Sequence, residues 1–229
     1  AAARAARFAF FERAMLRTGA RALWLGHQQN DIAETMLMRL ARGSGSAGLA
    51  APRPVMAVGG RVHLRPLLTI KKEEVVAVLR GVGAPWREDR SNAAREFFRN
   101  RVRQSVLPAW QSAAGRDALA GAALSREMLE EDDEALAVWL KEFRPFQRCA
   151  MHLGCLVGRP RALMRRALRQ WLADQPLAGE LSRQGFDDLL AAVTTGKPVR
   201  RSLGVNGFAV VRNGRLRFER VRPRKHGKE

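Results

Sequence analysis

The stretch that decides the fold reads GHQQNDIAETMLMRLARGSGSAGL and covers residues 26–49. The apolar run at residues 21–26 is too brief for a helix and is bounded by glycines, which predicts a buried parallel-type strand. From Asp31 to Leu40 apolar residues recur at helical spacing, and Gly43 suits a left-handed cap. The sequence therefore predicts a strand-to-helix corner, which is where open α/β sheets bind ligands.

The polar residues of this corner allow two interpretations. Asp31 and Glu34 are three positions apart, so both carboxylates lie at the same end of the predicted helix, where they could hold a hydrated Mg²⁺ ion or a cationic amine. The same spacing is that of a capping box, which only satisfies the first backbone N–H groups of a helix, and spacing alone favours that role. A histidine at a strand end, such as His27, is more often structural than catalytic.

The charge of the chain predicts a polyanionic partner. The 229 residues include 41 Lys and Arg against 22 Asp and Glu, a formal net charge of +19, and arginine outnumbers lysine. Such an excess favours nucleic acid as the partner. The alternative is a generally basic surface, as expected of a GC-rich, arginine-heavy proteome.

Several features of the sequence predict a cytoplasmic protein. No apolar run is long enough to cross a membrane, and no secretory signal is present. Cys149 and Cys155 do not form a CxxC pair, and His152 alone between them gives too few ligands for a closed zinc site, so we expect buried free thiols. The chain starts at Ala1 within a helical pattern, from which we expect that the native N-terminus is missing.

The order of the patterns predicts an α/β part followed by a mostly helical part. Composition changes near Gly115, so we expect domains at 1–115 and 116–229. The first has predicted helices at 2–18, 30–41 and 69–79 (capped by Thr69), a long loop at 43–60, and a basic helix carrying Arg99, Arg101 and Arg103. The second has predicted helices at 116–141, 159–173 and 182–194, an acidic solvated face at 130–134, and a hairpin around Asn213-Gly214.

Five motifs follow one another between residues 27 and 108. They are His27-x-x-x-Asp31-x-x-Glu34-Thr35, Arg39-Leu40-x-Arg42-Gly43-Ser44-Gly45-x-x-Gly48-Leu49, Arg65-Pro66-Leu67-Leu68, Glu88-Asp89-x-Ser91-Asn92 and Arg99-Asn100-x-x-Arg103-x-x-x-Leu107-Pro108. Their order and spacing make the chain resemble the tRNA(Ile)-lysidine synthetase family of the PP-loop, or N-type ATP pyrophosphatase, superfamily. The second half resembles that family's substrate-binding domain in the basic helix at 161–172, Leu181-Ser182-Arg183 and the closing hairpin.

The resemblance implies a ligase that acts on tRNA. ATP would activate the wobble cytidine of isoleucine tRNA by adenylation, and the amine of free lysine would then displace AMP. The implied fold is a partial adenine-nucleotide α-hydrolase-like parallel sheet domain, followed by a small, mostly helical domain closed by a β-hairpin. The implied cofactors are ATP and Mg²⁺, and the implied partners are isoleucine tRNA and free lysine; a homodimer is left open and no membrane is expected.

The residue patterns and the resemblance together assign roles to single residues. We expect catalytic roles for Asp31, Glu34 and Arg7, with Asp31 also a metal ligand, and nucleotide contacts from His27, Thr35 and Arg99. The expected RNA-binding residues are Arg101, Arg103, Arg161, Arg165, Arg166 and Arg169. A carboxylate can hold Mg²⁺ or the lysine ammonium group, and arginine can neutralise phosphate charge that develops during adenylyl transfer.

Two departures from the family pattern keep alternatives open. The glycine-rich phosphate loop, Ser-Gly-Gly-x-Asp-Ser, does not occur in these residues, so we expect a truncated chain that is inactive alone. Gln28 and Asn30 stand where histidine and aspartate are common in that family. The alternatives are a non-catalytic tRNA-binding module and another PP-loop tRNA-modifying enzyme such as a thiolase, which would require paired cysteines that Cys149 and Cys155 do not supply.

Overall fold

The computed structural model describes residues 2–87, 94, 96–147, 149–175, 181–205 and 207–220, with side chains from Ala5 onward. The chain divides into two compact units, Ala1–Asp133 and Glu134–Glu229. The predicted domain boundary near Gly115 stays a prediction; Gly115 itself ends a helix at φ +62°. The Glu88–Asn92 motif lies outside the described residues.

The first unit contains a three-stranded sheet and most of the helices. Its strands are β1 (Ala22–Trp24), β2 (Val55–Val58) and β3 (Arg61–Leu64), in the order β1-β3-β2, with β1 parallel and β2 antiparallel to β3. Its helices are α1 (Ala2–Thr18), α2 (Gln29–Leu40), α3 (Ser46–Leu49), α4 (Lys72–Gly81), α5 (Phe98–Arg101), α6 (Leu107–Ala114) and the first part of α7 (Ala118–Glu142). A π-helical segment, Val102–Val106, joins α5 to α6.

The predicted strand-to-helix corner is confirmed, whereas the expected burial of its strand is wrong. β1 pairs in parallel with β3, and α2 follows four residues later. Ala22 and Trp24, which point to one face of the sheet, are exposed, Trp24 by 69%, and β1 pairs on one side only within the described part of the sheet. The buried side of α2 joins a small core made by Ile32, Ala33, Leu68, Leu107, Leu119 and Ala122.

The predicted long loop at 43–60 is wrong in part. It contains α3 and the strand β2, which forms a hairpin with β3 through Gly59 and Gly60. Both glycines have positive φ, +54° and +76°, as a two-residue turn of this kind requires. The helix expected from Thr69 instead starts at Lys72, because the Lys71 N–H donates to Glu74 Oε2 at 2.8 Å and makes Lys71 the cap.

The second unit packs two helices against a five-stranded antiparallel sheet. The strands β4 (Phe146–Gln147), β5 (Ala150–His152), β6 (Val199–Ser202), β7 (Gly207–Arg212) and β8 (Arg215–Arg220) lie in the order β4-β5-β8-β7-β6. The helices α8 (Arg161–Ala173) and α9 (Arg183–Thr195) match the predictions, and Ser182 Oγ accepts the Gly185 N–H at 3.1 Å as the expected cap. The hairpin at Asn213-Gly214 is confirmed, with φ +50° and +66°.

The predicted α/β fold class is confirmed, with a larger sheet in the second unit than the sequence indicated. β4, β5 and β6 have two to four residues each, too few for a periodic pattern to reveal. Cys149 is exposed instead of buried, because it lies in the tight turn between β4 and β5 with φ +63°. Among the described helices, none is long and apolar enough to cross a membrane.

The acidic stretch at 130–134 is only partly the solvated face that we expected. Asp133 is 4% exposed and its Oδ2 accepts from Arg53 Nη2 at 2.5 Å. Glu130 accepts from Arg126, itself 3% exposed. Each of these pairs has one buried member, Asp133 or Arg126, and a half-buried partner that compensates its charge, because an unpaired charge would be costly there.

Candidate functional site

The candidate site begins at the first turn of α2. The Gln28 N–H donates to Asp31 Oδ2 at 2.8 Å, so Asp31 is the third residue of a capping arrangement that starts at Gln28. The capping box expected between Asp31 and Glu34 is therefore wrong in register. Glu34 lies one turn further into the helix and contacts α5 and the π-helical segment instead.

Two arginines join both carboxylates into one cluster, which we call the Asp31–Glu34–Arg99–Arg103 cluster. Arg99 donates from Nη2 to Asp31 Oδ1 at 2.5 Å and from Nε to Glu34 Oε2 at 2.7 Å. Arg103 donates to Glu34 from Nε at 2.6 Å and from Nη2 at 3.0 Å, a bidentate contact. Residues 65 or more positions apart in the chain are thus brought together by hydrogen bonds.

Burial differs sharply within this cluster. The Glu34 side chain is 1% exposed and that of Asp31 18%, while Arg99 and Arg103 keep 36% and 35% of their surface. The hydrogen bond to Glu34 raises the pKa of Arg103 above its ordinary value, against the opposing effect of burial. The carboxylates are therefore held on the inside, and the guanidinium groups form the outer, solvent-facing layer.

The cluster as it stands does not fit a protein-held Mg²⁺ ion. Both oxygens of Asp31 and both oxygens of Glu34 accept hydrogen bonds from N–H donors. Within the part of the chain that is described, no group of three or more His, Cys, Asp or Glu side chains could hold a metal ion. Two guanidinium groups already neutralise the two carboxylates, so the cluster has no net negative charge to attract a hard cation.

Asn30 anchors the same turn of α2 to α4. Its Oδ1 accepts the Lys72 N–H at 2.9 Å, at the first residue of α4, and the Gln29 N–H donates to the Ile70 carbonyl at 2.9 Å. A helix start leaves backbone N–H groups without intrahelical acceptors, and the Asn30 amide oxygen supplies one. Asparagine at this position thus has a structural contact that fixes the start of α4 beside the cluster.

Comparison with known proteins shows to which family the chain belongs. The family model of the PP-loop domain matches residues 1–110. A tRNA(Ile)-lysidine synthase of Methylobacterium sp. (strain 4-46) is 34% identical over 245 residues, which cover 99% of this chain and 69% of that protein. The chain belongs to the tRNA(Ile)-lysidine synthase family.

Other members of the family are similar over shorter parts of their own length. The tRNA(Ile)-lysidine synthase of Geobacter sulfurreducens is 38% identical over 194 residues, covering 81% of this chain and 40% of that protein. That of Symbiobacterium thermophilum is 34% identical over 239 residues, covering 96% of this chain and 49% of that protein. The chain thus spans less than half the length of these two relatives.

The other residues predicted for the family's active site lie near the corner or on the surface. His27 and Thr35 are half-buried, before and within α2, as the predicted corner requires. Arg7 is exposed on α1, and among the described residues no ion pair joins it to Asp31 or Glu34. The catalytic and nucleotide-binding roles of these residues stay predictions.

The predicted RNA-binding arginines fall into three environments. Arg103 is part of the cluster, with its guanidinium on Glu34. Arg101 is exposed and donates to the Glu96 carbonyl at 2.8 Å. On α8, Arg161, Arg165 and Arg169 are exposed and Arg166 is half-buried. The structure thus shows one of these arginines already engaged by an internal carboxylate.

Sequence reasoning missed what Arg39 and Arg103 contact. The Arg39 guanidinium donates to the Gly48 carbonyl and so fastens α3 to the end of α2; burial and then Arg42 lower the pKa of Arg39. Arg103 was interpreted as a phosphate ligand because its helix is basic. The spacing of four between Arg99 and Arg103 could have shown that both share one helix face.

Proposed function

We propose that the chain acts in ATP-dependent ligation of lysine to the wobble cytidine of isoleucine tRNA. The observation that carries this proposal is the Asp31–Glu34–Arg99–Arg103 cluster, which joins the first and last of the five motifs in a member of this family. In this reaction, the ATP co-substrate supplies the adenylyl group that activates the cytidine. This assignment is supported by the names of the relatives, which are tRNA(Ile)-lysidine synthases.

The arginines of the cluster suit a negatively charged substrate group, and its carboxylates suit a positively charged one. The Arg99 side chain is 36% exposed and its Nε and Nη2 atoms hold the carboxylates, so its remaining Nη1 atom is the donor proposed to meet a phosphate oxygen. The Asp31 carboxylate, 18% exposed, is the acidic group that an ammonium ion from lysine could reach. Arg7, His27 and Thr35 remain further proposed contacts of the nucleotide end.

Mg²⁺ is not assigned to a residue of this chain in the proposed function. The Arg99 and Arg103 guanidinium groups already balance the charges of Asp31 and Glu34, so the cluster offers no net negative charge to attract a metal ion. Mg²⁺ commonly binds through substrate phosphates and keeps several waters. The role of Asp31 in the proposal is therefore electrostatic and does not depend on a metal ion.

The test is transfer of labelled lysine to isoleucine tRNA by the full-length product of this gene. We expect incorporation that requires both ATP and lysine, and we expect Asp31→Ala to abolish nearly all of it while tRNA affinity stays close to that of the wild type. The matched control is Asp187→Asn, which removes an exposed carboxylate in the other unit. Equal incorporation by Asp31→Ala and the wild type would overturn the proposal.

A second candidate, a tRNA-binding module without ligase activity, is favoured by the exposed arginines of α8 and the net charge of +19. It predicts binding of tRNA by the full-length gene product with no incorporation of lysine at any ATP concentration. The same experiment therefore separates the two candidates.

A further inference from the structure

The five-stranded sheet of the second unit has one face on the helices and one face on solvent. The inner face supplies Met151, Ala209, Val211 and Leu216 to a core that includes Leu168 of α8 and Leu189 of α9. Successive residues of a strand point to opposite faces, so the residues between these belong to the outer face. On that outer face Phe208 and Val210 of β7 are half-buried, and Ala150 of β5, which pairs with Arg217, is buried.

Arginines dominate the outer face. The pairing register places Arg200, Val210 and Arg217 in one row across β6, β7 and β8. Arg212 stands directly opposite Arg215 in the next row, and Phe208 opposite Glu219 in the row on the other side. Arg200, Arg212, Arg215 and Arg217 are all exposed, and Glu219 is the acidic residue among these positions.

Most arginines of the outer face have no carboxylate partner among the described residues that would explain their placement there. Arg200 contacts Glu219 at 3.5 Å between Nε and Oε2 and lies over the Phe208 ring, 3.4 Å from its centroid. Within the described ranges, Arg212, Arg215 and Arg217 form no ion pair. Like charges directly opposite each other destabilise an antiparallel pair, so Arg212 and Arg215 cost the hairpin stability unless an anion lies over them.

We propose that this outer face, defined by Arg200, Phe208, Arg212, Arg215 and Arg217, binds the sugar–phosphate backbone of RNA. The inference rests on the proposed function, which makes that RNA the tRNA substrate. Guanidinium groups bind phosphate oxygens bidentately, and Arg215 and Arg217 are about 7 Å apart along one strand. The stacked Arg200 and Phe208 add a planar surface on which an unpaired base can lie.

The outer face is separate from the basic side of α8, which sequence patterns predicted to bind RNA. α8 packs on the inner face of the sheet through Leu163, Ala167 and Leu168. Its exposed arginines therefore belong to the opposite side of the sheet within this unit. Substitutions can remove the charge of one side without touching the other.

The experiment compares two triple variants of the full-length gene product. Arg212→Gln, Arg215→Gln and Arg217→Gln together remove three charges from the outer face. Lys141→Gln, Arg183→Gln and Lys197→Gln remove three exposed charges from the same unit outside that face and outside α8. Affinity for isoleucine tRNA is measured by fluorescence anisotropy over a series of salt concentrations, with lysine incorporation measured in parallel.

We expect the outer-face variant to bind tRNA at least about ten-fold more weakly than the wild type, with a salt slope reduced by about two for three lost phosphate contacts. The control variant should lose less than about three-fold, since its charges act only through the general field of the protein. Arg212→Lys, Arg215→Lys and Arg217→Lys together keep the charge and should restore most of the slope, which separates lost contacts from lost folding.

Three results would overturn the inference. Unchanged affinity and slope in the outer-face variant would show that the face does not contact RNA. Equal losses in both triple variants would show an effect of net charge alone. An effect confined to Arg161→Gln, Arg165→Gln and Arg169→Gln would place the RNA on α8. In each case, a wild-type protein that still transfers lysine leaves the proposed function standing, whereas one that neither binds tRNA nor transfers lysine contradicts both.

Discussion

At the scale of single residues, Glu34 has the most demanding environment of the candidate site. Its side chain is 1% exposed and accepts hydrogen bonds from two arginines, so it is a charge that only its partners stabilise. A buried ion pair is weak support for stability as a whole, but removal of one partner leaves the other charge without compensation. Neutralising the Glu34 carboxylate should therefore destabilise the protein even if the shape of the side chain is kept.

Glu34→Gln tests that sensitivity because it keeps the shape of the side chain. We expect the free energy of unfolding to fall by about 2 kcal/mol, less than for a fully buried pair, because water screens the half-exposed arginines. The measurement is urea denaturation, with Asp187→Asn, which leaves the exposed Arg183 unpaired, as the control that should change little. A double-mutant cycle of Glu34→Gln with Arg103→Gln should give a coupling energy of about 1 kcal/mol or more; no coupling would show that the pair contributes nothing.

His63 provides a pH-dependent contribution to stability. Burial, followed by the charge of Arg65, lowers the pKa of His63 below its ordinary 6.5. The unfolded chain then binds the proton more tightly than the folded one, so this contribution is complete above about pH 6.5 and is lost as the pH falls through the lowered pKa.

The expected outcome is a urea midpoint that decreases between pH 7 and pH 5, with a smaller decrease in His63→Gln. The variant also loses the ring contact with Phe8, 5.7 Å between centroids, so its stability at pH 7 is lower and only the slope with pH is diagnostic. All other residues are the same in the two proteins, so their contributions cancel in the difference. If the urea midpoint changed equally with pH in the wild type and in His63→Gln, the lowered pKa of His63 would be contradicted.

At the scale of elements, two glycines give opposite expectations for the same substitution. A Cβ added at Gly207, the first residue of β7, would meet the Glu219 carbonyl of the paired strand and the Phe218 ring, with Cζ at 2.6 Å. Gly121 lies within α7, where a Cβ would meet nothing within 4 Å. Backbone cannot yield as a flexible side chain can, so only the first site resists a methyl group.

Gly207→Ala should lower the free energy of unfolding by about 1–3 kcal/mol through overpacking. Gly121→Ala should raise it by about 0.5–1 kcal/mol, since alanine restricts the unfolded chain and favours a helix. Thermal denaturation of the two variants beside the wild type checks both signs. A neutral Gly207→Ala would show that β7 and β8 can separate at this end of the hairpin.

Elements whose signals are local could be predicted, and those that depend on distant partners could not. The helix α9 has its serine cap and its apolar face in neighbouring residues, and the Asn213-Gly214 turn carries its own backbone preference. By contrast, β4 is two residues long and exists because β5 pairs with it. The Arg99–Glu34 contact joins positions 65 residues apart, so the charge pattern near Arg99 predicted a basic face and missed its carboxylate partners.

At the scale of the whole molecule, the net charge of +19 and the placement of the arginines have different consequences. Net charge attracts any polyanion and sets how fast it arrives, without choosing among polyanions. Arginines paired inside the protein, such as Arg103 with Glu34 and Arg53 with Asp133, already cancel against their partners in the net charge. Only the Lys and Arg side chains that contact the RNA release counterions, so the number of phosphates neutralised should be far smaller than the net charge suggests.

Salt dependence measures that number directly. Each phosphate neutralised contributes about 0.7–0.9 to the slope of log affinity against log salt, so a footprint of about six phosphates should weaken tRNA binding roughly a thousand-fold between about 50 mM and about 200 mM salt. Circular dichroism at each salt concentration serves as the control, because a loss of structure would also weaken binding. An affinity that does not change with salt would contradict electrostatic binding altogether.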